Sequence, residues 1–201
     1  MSSNSSAPAL LRRLGTPSAT KLAELAETFD ELQTVLRCCE RLIAELERSS
    51  GEPDEIVIEA GWTLALLCYA RSFSSGAQLT GSDLTATQPD SNVLTWHGVL
   101  LELRERQAGT TSNPRETFSV GVAQDADGAA SAVGISSVRR PDVDEFTVRQ
   151  TGAIAYALCA LLDERISAQQ EIVFSEAKEL SAAQLNALTE LEVVAPKDAL
   201  N

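Results

Sequence analysis

Histidine is almost absent from this chain. With His97 alone among 201 residues, any Ser-His-Asp or Cys-His mechanism must pass through that one position. It sits beside Trp96 in a predicted helix with no glycine-flanked nucleophile nearby, so it reads as a hydrogen-bonded residue at the edge of the core. Neither GxxxxGK[ST] nor GxGxxG occurs, which counts against nucleotide enzymes. No CxxC or Cys/His metal spacing is present, and with a single histidine a zinc set of conventional spacing is not expected. Neither a metal nor another cofactor is expected. Long apolar runs are missing as well: Trp62 to Ala70 falls short of the ~20 residues of a membrane span. The N-terminus lacks the basic-then-apolar order of a secretory signal. The expectation is a cytoplasmic protein with no membrane association.

Lysine is scarce too, at 3 against 13 arginines, the bias of a GC-rich genome. Basic residues are outnumbered overall, giving a formal net charge of −13. That charge disfavours nonspecific nucleic-acid binding, whose affinity comes mostly from neutralised phosphates. Its distribution is uneven. Residues 1–90 carry 7 basic and 13 acidic groups, 91–140 carry 5 and 5, and 141–201 carry 4 and 11, so only the middle is neutral.

What is present is helical periodicity in a single domain. Residues 1–17, rich in Ser, Ala and Pro, read as a flexible arm; 18–190 form the domain; 191–201 form a tail. Leu22, Leu25, Phe29, Leu32, Leu36, Cys39, Ile43 and Leu46 recur at alternating steps of three and four. That is the seam of a helix near 19–48, with Ser18 as N-cap and Ser49, Ser50 and Gly51 as its stop. A second helix near 54–73 opens at Pro53 and is apolar on nearly every side, which suits the centre of a bundle. Gly61 within it suggests either a close neighbouring backbone or a glycine tolerated without purpose. Residues 72–92 read as loop, followed by a third helix near 91–107 with Val93, Trp96, Leu100 and Leu103 on its apolar face.

The period then changes to two. Phe118, Val120 and Val122 alternate with Ser119, Gly121 and Ala123, Asp125 to Gly128 supply a turn, and Val133 and Ile135 resume the alternation. This predicts a β-hairpin over about 117–138 with one apolar face, which must lie on the helices or on a partner. Pro141 and Asp142 open a last long helix near 142–178, with Phe146, Ala153, Ile154, Ala157, Leu158, Leu161, Leu162 and Ile166 facing the core. A short helix from Ser181 to Leu188 follows. The fold class is therefore mainly α, a four-helix bundle with a hairpin inserted between the third and fourth long helices. Cys38, Cys39, Cys68 and Cys159 all fall inside apolar helical patterns and read as buried free thiols.

Chemistry is sparse. Asp163 and Glu164 are adjacent on a helix and point apart, as a solvated face would. His97 and Arg104, seven residues apart on one helix and about 10 Å along its axis, could bracket a phosphate or carboxylate; alternatively Arg104 simply pairs with an acid. Trp62, Tyr69 and Trp96, with His97, could line a small-ligand pocket.

The stretch Trp96-His97 through Leu103-Arg104-Glu105-Arg106, then Gly109-Thr110-Thr111-Ser112-Asn113, a hairpin and a long helix, resembles helical-bundle proteins of the HEPN type. In that family a leucine-arginine pair precedes a histidine by about six residues, and two subunits build a metal-independent ribonuclease site across a dimer interface. Arg104 matches the arginine. The histidine position falls on Gly109 or Thr110, so the resemblance implies a dimer that has lost cleavage and kept a binding or regulatory role. The Asn113-Pro114-Arg115-Glu116 stretch and the hairpin look like a lineage-specific elaboration, and the chain also resembles actinobacterial proteins.

Three readings follow. The leading one is a non-catalytic interaction or regulatory protein that meets a protein partner, or itself as a homodimer, through the first helix or the hairpin. The second is an RNA-cleaving or RNA-binding protein using Arg104; the third is a small-ligand binder.

Overall fold

A computed structural model of the chain describes residues 10–49, 51–74, 78–88, 92–109, 113, 115–140 and 143–191. The described residues are mainly helical, with six helices and two small antiparallel sheets. In chain order they are β1 (Leu11–Arg12), α1 (Pro17–Leu46), α2 (Glu55–Arg71), α3 (Gly81–Thr87), α4 (Val93–Ala108), β2 (Glu116–Gln124), β3 (Ala130–Arg139), α5 (Glu145–Lys178), α6 (Ala182–Ala187) and β4 (Glu190–Leu191).

The cap of α1 differs from the expected Ser18. Thr16 accepts from the amide of Ala19 at 3.2 Å, and Pro17 takes the first helical position, where its missing N–H costs nothing. The expected flexible arm is partly structured: Leu11 and Arg12 pair with Leu191 and Glu190, and Arg12 Nη1 donates to the carbonyl of Leu188 at 2.8 Å. Arm residues 1–9 and tail residues 192–201 lie outside the described residues, as do Ser50, Ser91, Pro141 and Asp142. The observed cap of α5 is Asp144, whose carboxylate accepts from the amide of Thr147 at 2.7 Å.

Helix α1 is flanked by α2 and α5. Gln169 donates to the carbonyl of Ser18 at one end, and Arg149 pairs with Glu47 at the other, so α5 runs antiparallel to α1. Arg71–Glu31 and the Asp54 amide on Glu45 Oε1 set α2 antiparallel in the same way. Two neighbours widen the buried stripe. Leu25, Leu32 and Cys39 of the expected seam are buried, but Thr28, Val35 and Leu42 fill the positions between, while Phe29, Leu36, Ile43 and Leu46 are half-buried flanks.

Helix α2 is not central. Ile56, Val57 and Leu64 are exposed on the side that neither α1 nor α4 covers, whereas Trp62, Ala65, Leu66 and Tyr69 are buried. At Gly61 a Cβ would come within 3.3 Å of Leu42 Cδ2, so the close neighbour there is a side chain of α1.

Inside the expected loop over 72–92 lies α3, which short length hid from periodicity. The amide of Thr80 donates to Asp83 at 2.8 Å at its start, and Leu84 is fully buried. On α5 the buried face is Val148, Thr151, Ile154, Ala155, Leu158, Cys159 and Leu162; Phe146 and Ala153, expected to face the core, are exposed.

The hairpin forms in the expected register, with Val120 opposite Ile135 and Val122 opposite Val133. The Asp125 carboxylate accepts from the amides of Asp127 and Ala129, Gly128 takes φ +83°, and a register shift lies at Ala123/Gln124. A left-handed φ at that turn position suits glycine.

Candidate functional site

Helix α4 carries both His97 and Arg104, the candidate anion-binding pair. His97 faces α2: its Nδ1 shares a 3.0 Å hydrogen bond with Tyr69 Oη, and its ring lies 4.5 Å from the Phe73 ring, centroid to centroid. Burial lowers the pKa of this imidazole, and burial raises that of the Tyr69 phenol. Arg104 Nη1 pairs instead with its neighbour Glu105 at 2.7 Å. The two side chains are therefore engaged separately, with no shared cradle. Of the HEPN-like motif, Thr110 lies outside the described residues, and Gly109 follows the last residue of α4.

The aromatic trio does not line one pocket. Trp62 and Tyr69 belong to the buried core, whereas Trp96 is half-buried against Phe146 at 6.3 Å in an edge-on arrangement. Trp96 lines a cleft of about 190 Å³ together with Asn92, Thr95, Phe146 and Gln150, and its indole Nε1 is buried without a hydrogen-bond partner. The other four lining residues escaped the sequence reading because they come from two helices with no motif to join them. A shallower groove of about 440 Å³ lies between α1 and α5, lined by Leu36, Cys39, Ile43, Val148 and Gly152 with Glu40 and Arg149 at its rim.

The thiols are free and mostly buried. Burial pushes Cys39 and Cys68 up to about 12, and raises Cys38 and Cys159, so none is a ready thiolate. Among the described residues no three His, Cys, Asp or Glu side chains converge as a metal set, and no helix is long and apolar enough to cross a membrane.

The hairpin is the surface that stands apart. Every residue from Thr117 to Arg139 is exposed. Phe118, Val120, Val122, Val133 and Ile135 share one face and are between 57% and 73% exposed, so no helix covers them. The reverse face pairs Ser119 with Ser136, Gly121 with Gly134 and Ala123 with Ala132. The foot of the ribbon is fixed to α2 by Arg115–Glu59 at 2.7 Å and Arg139–Glu55 at 2.9 Å. Beside those acids Ile56 is 78% exposed.

Comparison with protein-family models, with curated proteins and with solved structures finds no match.

Proposed function

We propose that this chain is a non-catalytic interaction or regulatory protein of the cytosol: a four-helix bundle that presents its hairpin, inserted before the last long helix, as a docking arm for protein. The observation that carries the reading is the uncovered apolar face of the ribbon. A lone two-stranded hairpin is marginal in water, and contiguous exposed apolar patches of this kind mark contact surfaces. The ion-paired foot holds the arm in place before any partner arrives, which reduces the ordering cost of binding. The site chemistry supports the same reading. The one histidine is half-buried against Tyr69 and Phe73, and Arg104 pairs through Nη1 with Glu105 while its Nε is buried without a partner. A dimeric HEPN-like protein without its nuclease histidine would fit this description.

The test places a photo-activatable side chain at position 120 and, as control, at position 119 on the reverse face. Irradiation in the native cell should give a protein adduct from position 120 and little from 119. Equal yields, or none, would overturn the reading. The purified chain should also leave structured and unstructured RNAs uncut; cleavage that disappears in Arg104→Ala or His97→Ala would promote a ribonuclease role instead.

The Trp96 cleft favours a second reading, small-ligand binding, because an unpartnered indole N–H can orient a polar ligand edge. Thermal-shift screening against a metabolite panel tests it, with a Trp96→Phe variant expected to lose any shift.

A further inference from the structure

The proposed docking arm leaves its occupant open, and three properties of the ribbon choose among occupants. The first is area. Five side chains more than half exposed offer on the order of 500 Å² of apolar surface per copy. Doubled in a symmetric contact, that reaches the roughly 1,000 Å² a biological interface has to clear, the area of a reversible dimer and below the ~1,200–2,000 Å² of tight complexes.

The second is charge. The chain carries −13, and like-charged bodies of that kind repel. From 117 to 138 the only charges are Asp125 and Asp127, both at the turn, so the flat of the ribbon is where two such chains can approach without opposing charges. The third is shape. The apolar stripe is centred on the Val120–Ile135 pair, with Phe118 toward the foot and Val122 and Val133 toward the tip, while the reverse face carries small and polar residues with one large apolar side chain, the exposed Val138 near the foot.

We infer that the apolar face of the hairpin is covered by the same face of a second copy of this chain, the two ribbons antiparallel about a two-fold axis near Val120 and Ile135. This rests on the docking-arm reading. Packing face to face at the usual ~10 Å spacing turns two marginal hairpins into a small sandwich with a shared core. A two-fold contact uses one patch twice and closes on itself. The antiparallel orientation follows from the acidic turns: a parallel arrangement would set Asp125 and Asp127 of both copies together, and the antiparallel one keeps the two tips apart. Edge-to-edge pairing of the strands would leave the apolar face bare.

The experiment is light scattering on the intact chain, with cross-linking. The parent should have twice the 21.5 kDa chain mass. A Val120→Lys/Ile135→Lys variant should associate at least ~100-fold more weakly, and Ser119→Lys/Ser136→Lys, on the reverse face, should remain dimeric. Circular dichroism checks that the helices persist in each. Under mild oxidation Val120→Cys should form a disulfide-linked dimer above the background of the parent, and Ala126→Cys at the tip should not. A parent that stays monomeric at high concentration, or a dimer indifferent to Val120→Lys/Ile135→Lys, overturns the inference. Should the lysine variant misfold, failure of Val120→Cys to cross-link overturns it alone. If position 120 photo-cross-links only to a different protein, the second copy is refuted and the docking arm stands; no protein adduct at all refutes both.

Discussion

Helix α1 and the β2–β3 hairpin carry equally regular apolar patterns, one at helical spacing and one alternating, yet they end in opposite surroundings. Leu32, Val35 and Leu42 of α1 are sealed between α2 and α5, while Val120, Val133 and Ile135 face outward. Periodicity fixes which residues share a face. What covers that face depends on the neighbours the rest of the chain can bring to it, and α2 and α5 pack on α1, leaving the hairpin's apolar face uncovered. An uncovered face of this regularity is the ground on which the docking-arm proposal rests.

The comparison would break if the two regions shared the stability load equally. Leu32→Ala removes a fully buried side chain and should lower unfolding stability by about 2–5 kcal/mol, read from urea titration of the helical signal. A loss below 1 kcal/mol would mean that the α1 seam is looser than its burial indicates.

The next effect concerns the polar tie inside the helical region. Asp83 on α3 is buried and pairs with Arg165 on α5, whose Nη1 also donates to the carbonyl of Gln78 at 3.0 Å. Burial pushes the Asp83 carboxyl up, but hydrogen bonds from Arg165 and from Thr80, with the Arg165 charge, outweigh it and leave the pKa below the ordinary value. A depressed carboxylate contributes stability that is present above the unfolded value of about 4 and is lost as pH falls through the folded value. Asp83→Asn should therefore cost about 2 kcal/mol at neutral pH and flatten the acid side of the stability profile. At the foot of the hairpin Arg115 is exposed and Glu59 half-buried, and Glu59→Gln should cost clearly less than Asp83→Asn. Equal losses for the two would erase the contrast between regions.

Legibility followed the same divide. Long elements with many repeats were readable: the helices near 19–48, 54–73, 91–107 and 142–178 and the hairpin near 117–138 all exist within a few residues of their expected ends. Helix α3, seven residues long, repeats its period too few times to register, and its signal was the Thr80–Asp83 spacing of a cap. Facing was less legible. Phe146 looks like core by composition, but it lies in the first turn of α5 and leans on Trp96 at the rim of a cleft. The site reading suffered most, since sharing one helix did not bring His97 and Arg104 to one purpose. Tyr69 and Phe73, distant in sequence, claim the imidazole, and an adjacent residue claims the guanidinium.

A smaller effect sharpens the view of α4 as a half-buried helix. The folded pKa of His97 lies below its unfolded value of about 6.5 because burial disfavours the imidazolium. The unfolded chain therefore binds the proton more readily, and stability should decline as pH drops through about 6.5 toward the folded value, then level off. Urea midpoints compared at successive pH values should show that slope, and His97→Gln should remove it. A slope unchanged in the variant would assign the titration elsewhere.

The smallest expected change is the one on which the contrast turns. Ile135 resembles Leu32 in size and hydrophobicity, so on composition alone Ile135→Ala should cost as much as Leu32→Ala. Its side chain, however, is 73% exposed, so truncation removes little surface from anything but water. In a solution dilute enough to hold single chains, the unfolding midpoint of the helices should shift by no more than about 0.5 kcal/mol equivalent. If a second copy covers the face, as inferred above, the same substitution at high concentration should lower the apparent stability, because binding to the folded chain alone stabilises it. A large loss at both concentrations would mean that the hairpin packs within its own chain, and the difference between the two regions would disappear.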